Sequence, residues 1–122
     1  MVHEVTKWLD AVLHNGCGED VAAFCFNLYE DEDDNWSMEL IGAGHFDEED
    51  DDWPCDEITD FGTREEMFAW EQEAEWDEIL EEVCICIREY LEHGKYAEML
   101  KHKAGIGVGF VDGDTKIIYS KS

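Results

Sequence analysis

Fifteen carboxylates and not one Lys or Arg lie between Glu30 and Asp60, with Trp36, Leu40, Phe46 and Trp53 threaded through the same stretch and Phe61 directly after it. Carboxylates at this density can coordinate a hard cation, exchange protons in acid–base catalysis, or meet a cationic partner. Each chemistry demands its own spacing. An EF-hand loop begun at Asp31 sets Asp31, Asp33 and Asn35 at its first, third and fifth positions. It then meets Trp36 where the turn requires glycine and Gly42 where a bidentate Glu is required. Begun at Asp47, the template fails at Asp52 and Ile58. Acid–base catalysis needs two carboxyls in contrasting environments, and no pair among the 33 acidic residues is marked out by pattern. No catalytic residue is assigned, and no enzyme is expected.

Other reactive side chains give equally little. Cys84 and Cys86 are one residue apart rather than the two of redox and zinc motifs, and on a helix they diverge by about 200°. His3, His14, His45, His93 and His102 show no H-E-x-x-H or other paired spacing. Core packing for these cysteines and surface positions for the histidines are expected, with no metal and no cofactor. Gly105, Gly107 and Gly109 alternate with Ile106, Val108 and Phe110 in a strand that runs into a hairpin. The helix that would hold phosphate after a nucleotide loop is missing. One strand face is thus nearly bare, so that something packs closely against it or a partner docks there; a sheet-edge homodimer stays open.

Binding is the chemistry that remains. Trp53 sits among Asp47, Glu48, Glu49, Asp50, Asp51, Asp52, Asp56 and Glu57. It is either a plug that anchors the acidic connector to the core or an exposed anchor ringed by charge. Further along, Glu71, Glu75, Glu78 and Glu82 fall at helical spacing, neighbours about 5–6 Å apart, as a second carboxylate stripe.

The elements that must position these residues follow from periodicity. Val5, Trp8, Leu9, Val12 and Leu13 predict a helix stopped by Asn15-Gly16. Residues 21–29 and 36–42 alternate as two antiparallel strands around an Asp31–Asn35 loop. Thr63 and Glu66 form a capping box, and the stripe from Met67 through Trp70 and Ala74 to Tyr90 and Leu91 predicts a long helix, bent near Glu75 and closed at Gly94. A short helix with Tyr96, Met99 and Leu100 follows, and Asp112-Gly113 turns a final hairpin. The expected fold is α+β in the order α-ββ-α-α-ββ: an antiparallel sheet of about four strands with helices on one face.

At 122 residues the chain is expected to be one domain, 1–122, with a core supplied by its 44% hydrophobic residues. The net charge of −25 is uneven: −15 falls on residues 30–62 and +2 on residues 94–122. Such a field repels nucleic acid and anionic membrane and attracts cations. Five cysteines, an odd number, read as free thiols, and the N-terminal residues lack the basic and apolar segments of a signal peptide. A cytosolic, soluble protein is expected.

The stretches FCFNLYED, HFDEEDDDWPCDE and GVGFVDGD resemble small acidic bacterial immunity proteins of polymorphic toxin and contact-dependent inhibition systems. The resemblance implies a non-catalytic inhibitor of a positively charged toxin domain, such as a nuclease, acting through the acidic connector at Asp47–Glu57. A nucleic-acid mimic that occupies DNA- or RNA-binding proteins is the alternative, and a small metal-binding domain a more distant one.

Overall fold

The computed structural model describes residues 2–14, 16, 20–49, 53, 67–111, 113 and 115–120, and residues 57–62 as backbone. Helix α1 (Val2–Val12) buries Val5 and Leu9. Just beyond it Gly16 takes a φ of 79° and its N–H returns to the Leu13 carbonyl, a left-handed ending that glycine adopts without steric cost.

Strands β1 (Ala23–Glu30) and β2 (Asn35–Ala43) pair antiparallel from Ala23↔Ala43 to Glu30↔Trp36. Along the other edge of β2, strands β3 (Glu57–Gly62) and β4 (Phe68–Glu71) lie end to end. Helices α2 (Trp76–His93) and α3 (Ala97–Lys101) carry the chain to β5 (Gly105–Phe110), parallel to β1, and β6 (Lys116–Ser120) closes the sheet antiparallel to β5. The strand order is β3-β2-β1-β5-β6, with β4 also on β2.

The α+β class is as expected, but the sheet is mixed and six-stranded, not antiparallel and four-stranded. The parallel pair follows from the helices between β2 and β5, which return the chain to the sheet end where β1 began. The long helix is also shorter than its stripe suggested. Phe68 and Trp70 alternate with exposed Ala69 and Glu71 in β4, opposite Met38 and Trp36. Met67, Trp70 and Ala74 fit a helical count, but period two fits the strand as well, and pairing with the open edge of β2 decides between them. The Thr63/Glu66 capping box lies outside the described residues.

One sheet face buries Phe24, Phe26, Leu28, Met38, Leu40, Ile106 and Val108 beneath α1 and α2, whose Leu9, Ile79, Val83 and Ile87 complete the main core. Cys84 and Cys86 are buried with them, and all five histidines are exposed, as expected. Tyr90 ties the helical layer together: its hydroxyl donates to Asp10 Oδ1 at 2.8 Å and accepts the Tyr96 N–H at 3.1 Å. Gly94 follows α2 in an extended conformation rather than the left-handed one the sequence suggested. A Cβ there would sit 2.5 Å from the Tyr90 ring, so close approach, not φ, excludes a side chain.

Candidate partner-binding surface

The β1–β2 hairpin is a tight acidic turn. Asn35 N–H bonds the Glu32 carbonyl, and both central residues have positive φ, Asp33 at 56° and Asp34 at 61°. That is a type I′ turn, the form that matches strand twist, built here from two aspartates where Asn-Gly is favoured. Asn35 Nδ2 steadies it by donating to the Glu32 carbonyl at 2.8 Å. Glu30, Asp31, Glu32 and Asp33 are all exposed and line one shallow depression of about 780 Å³.

Gln72, between β4 and α2, fastens the hairpin to the helical layer. Its N–H donates to the Asp34 carbonyl at 2.8 Å, and its own carbonyl accepts Trp36 Nε1 at 2.8 Å. Its side chain accepts Trp70 Nε1 at 3.1 Å and donates to Glu82. Glu71 pairs with Asn35 in the ladder, Glu75 is the N-cap residue of α2, and Asp77 and Glu78 stand in its first turn, all exposed. Acidic residues suit that position because a helix N-terminus carries partial positive charge. The four glutamates of the expected stripe therefore do not share one helix face. Glu71 is on a strand, Glu75 at the cap, and Glu78 and Glu82 on α2, yet folding brings all four to the hairpin end.

Beside the hairpin, the ends of β1 and β5 and the first turns of α2 enclose a groove of about 750 Å³. Leu28, Leu80 and Phe110 line it, and Trp76 stands over it with 57% of its surface exposed. Trp76 meets Phe110 edge-on at 6.2 Å, and Phe110 in turn packs against Trp36 at 5.9 Å. Glu30 and Asp31 form the wall shared with the acidic depression, and Lys116 stands on the β6 side.

The described residues of the acidic connector, Phe46 to Glu49 and Trp53, lie at the opposite end and on the opposite face of the sheet. Phe46 and Trp53 stack edge to face at 4.9 Å over Ala23, Cys25, Ile41 and Ala43. The bare strand face receives them: a Cβ on Gly105 would run into the Phe46 ring, and one on Gly107 would lie 3.0 Å from Trp53 Cζ2 and 2.6 Å from Thr115 Cγ2. Trp53 is 1% exposed, which decides between its two readings: it is the plug that anchors the connector to the core, not an exposed anchor. Between the two rings Asp47, Glu48 and Glu49 are exposed, and Asp47 Oδ1 accepts the Glu49 N–H at 2.9 Å. Glu57 begins β3 opposite Ala43 at the same sheet end. Asp50, Asp51, Asp52 and Asp56 lie outside the described residues. Among the described residues, the hairpin carboxylates and the connector carboxylates thus lie at opposite ends of the sheet, not on one continuous face.

Two features went unread in the sequence. Glu39 is 1% exposed on the connector side of the sheet, where it accepts Asn27 Nδ2 at 3.2 Å while Asn27 Oδ1 accepts the Cys25 thiol at 3.4 Å. Asn27 and Glu39 are direct register partners, so the pair is legible once the hairpin is aligned. The exposure of Trp76 was hidden by its place in a helical stripe. Among titratable groups, burial pushes the Cys84 and Cys86 thiols up, and burial pushes Tyr90 up well beyond the usual phenol range. Glu89, Glu92 and His93 bring ligand atoms within 4.8 Å of one another, but all three are exposed, and such groups are common without an ion. Among the described residues no helix is long and apolar enough to cross a membrane. Compared with protein-family models, curated proteins and solved structures, the chain finds no match.

Proposed function

We propose that this protein is a non-catalytic binding protein for a cationic protein, of the immunity type, which neutralises a positively charged toxin domain such as a nuclease through its carboxylate surfaces. The observation that carries the reading is the hairpin end. There Glu30, Asp31, Glu32 and Asp33 are exposed around one depression and are held by Asn35 and Gln72, next to the acidic first turn of α2. Charge held in fixed positions raises the rate of encounter with a cationic partner by about 10- to 1,000-fold and falls with salt. The resemblance to acidic immunity proteins supports the same reading. The protein needs no cofactor in this role.

The test is affinity for a basic toxin domain, measured by calorimetry across salt, for three forms of the protein: unaltered, neutralised at the hairpin (Glu30→Gln, Asp31→Asn, Glu32→Gln), and neutralised at the connector (Asp47→Asn, Glu48→Gln, Glu49→Gln). Loss of affinity in either neutralised form, and steep weakening with salt, are expected. Affinity unchanged in both would sink the proposal. Equal binding to unrelated DNA-binding proteins would point instead to a nucleic-acid mimic.

A further inference from the structure

Building on that reading, we infer that the groove beneath Trp76 is the specificity site: it takes an apolar or aromatic side chain of the cationic partner, on a segment whose Lys or Arg residues reach Glu30 and Asp31. Among the described residues Trp76 and Val111 are two of the few large apolar side chains left exposed, at 57% and 48%, and both border this groove. A lone exposed apolar residue needs no explanation, but two on the rim of one concavity with an apolar floor mark a docking site. At about 750 Å³ the groove is large enough for such a side chain.

Its walls are already in place. Trp76 leans on Phe110, Phe110 on Trp36, and Trp36 is fixed by its bond to the Gln72 carbonyl. A preformed wall lowers the ordering cost of binding.

Charge selects the occupant. Glu30 and Asp31 face the groove on the β1 side and run on into the Glu32/Asp33 depression. Lys116 stands two strands away, about 10 Å at ordinary strand spacing. The groove is therefore polarised, and a segment lying in it places its cationic residues toward the hairpin. A second copy of this chain would bring its own −25 against the same carboxylates, which makes it a poor occupant.

Two capped peptides serve as probes, Lys-Arg-Phe-Arg-Lys and the same sequence with Gly in place of Phe, titrated at low salt against 15N-labelled protein. Both peptides bind through charge, and the Phe peptide binds about tenfold tighter, the order of gain from burying part of one aromatic ring. The Trp76 indole signal moves, while those of buried Trp36 and Trp53 stay in place. Trp76→Ala abolishes the advantage of the Phe peptide and leaves binding of the Gly peptide unchanged. Val111→Ser, which leaves the helix untouched, reduces the same advantage. Equal affinity of the two peptides, or a Phe advantage that survives Trp76→Ala, would overturn the groove while leaving the cationic-partner reading intact. Failure of both peptides to bind would overturn that reading and the groove with it. A dimer in sedimentation that disappears with Trp76→Ala would assign the groove to a second copy and overturn the inference.

Discussion

If the alternating glycines of β5 exist to receive Phe46 and Trp53, then an alanine at Gly105 should be costly only while the Phe46 ring is present. The new Cβ would press into the edge of the Phe46 ring, well inside the normal carbon contact distance of about 3.5–4.0 Å, so ring or strand must move. Overpacking of this kind costs about 1–3 kcal/mol. Alanine in a strand otherwise gains about 0.5–1 kcal/mol over glycine from chain entropy, so in a Phe46→Ala background Gly105→Ala becomes neutral or mildly stabilising. The difference between backgrounds is a coupling of about 2 kcal/mol, within the range found for contacting residues. Phe46 is only partly buried, so Phe46→Ala should cost less than the roughly 3–5 kcal/mol of a fully buried ring and leave a folded reference. Urea unfolding followed by far-UV circular dichroism on the four proteins of the cycle reads the coupling as a midpoint shift of about 1 M. An equal cost of Gly105→Ala with and without the ring would refute the aromatic-latch account of the connector.

Three further outcomes follow from the same geometry. Asp34→Gly relieves a left-handed φ of 61° and should raise stability by about 0.5–1 kcal/mol, while β-branched Asp34→Val should lower it by more than that; urea midpoints check both. Cys84 and Cys86 hold their protons more tightly folded than unfolded, chiefly through burial, so their contribution is fully present below the ordinary thiol pKa of 9.0. It is lost as pH rises through the window above that value, with Tyr90 adding to the loss at still higher pH. Under reducing conditions, unfolding free energy should fall across that alkaline range, and a flat profile would refute the thiol assignment. Self-repulsion from a charge of −25 is screened by salt, so melting temperature should rise by about 4–5 °C for each kcal/mol recovered on going from about 10 mM to about 300 mM NaCl. A fall in differential scanning fluorimetry would contradict it.

Local periodicity made the first half of the chain readable. The alternation of Phe24, Phe26 and Leu28 and of Trp36, Met38 and Leu40 places the β1–β2 hairpin close to its observed register, and α1 and α3 fall near their expected bounds. What could not be read locally was pairing. The residues Phe68 to Glu71 are too few to separate period two from period 3.6, and only the open edge of β2 makes them a strand. The parallel β1–β5 contact joins residues about eighty positions apart, which no local signal encodes. The site was half legible for the same reason. Every carboxylate was visible, but their division between two sheet ends depends on topology. The fate of Trp53 depended on a receptor, Gly107, that lies more than fifty residues downstream.

That division bears on how such a surface could work. The hairpin and the connector sit at opposite ends of β2, roughly 26 Å apart at about 3.3 Å per residue. Physiological salt screens exposed charges beyond about 8 Å, so under the proposed function each surface would attract a cationic partner independently. Only one of them would combine attraction with a means of holding. At the connector the aromatic side chains are committed to the core: Trp53 is buried, and Phe46 is spent on the glycine face. At the hairpin Trp76 is free of that role and stands exposed beside Glu30 and Asp31. Long-range charge mainly governs encounter, whereas buried apolar anchors govern dissociation. Neutralising the connector should therefore slow association with little change in complex lifetime, whereas loss of Trp76 should shorten the lifetime and leave association nearly unchanged.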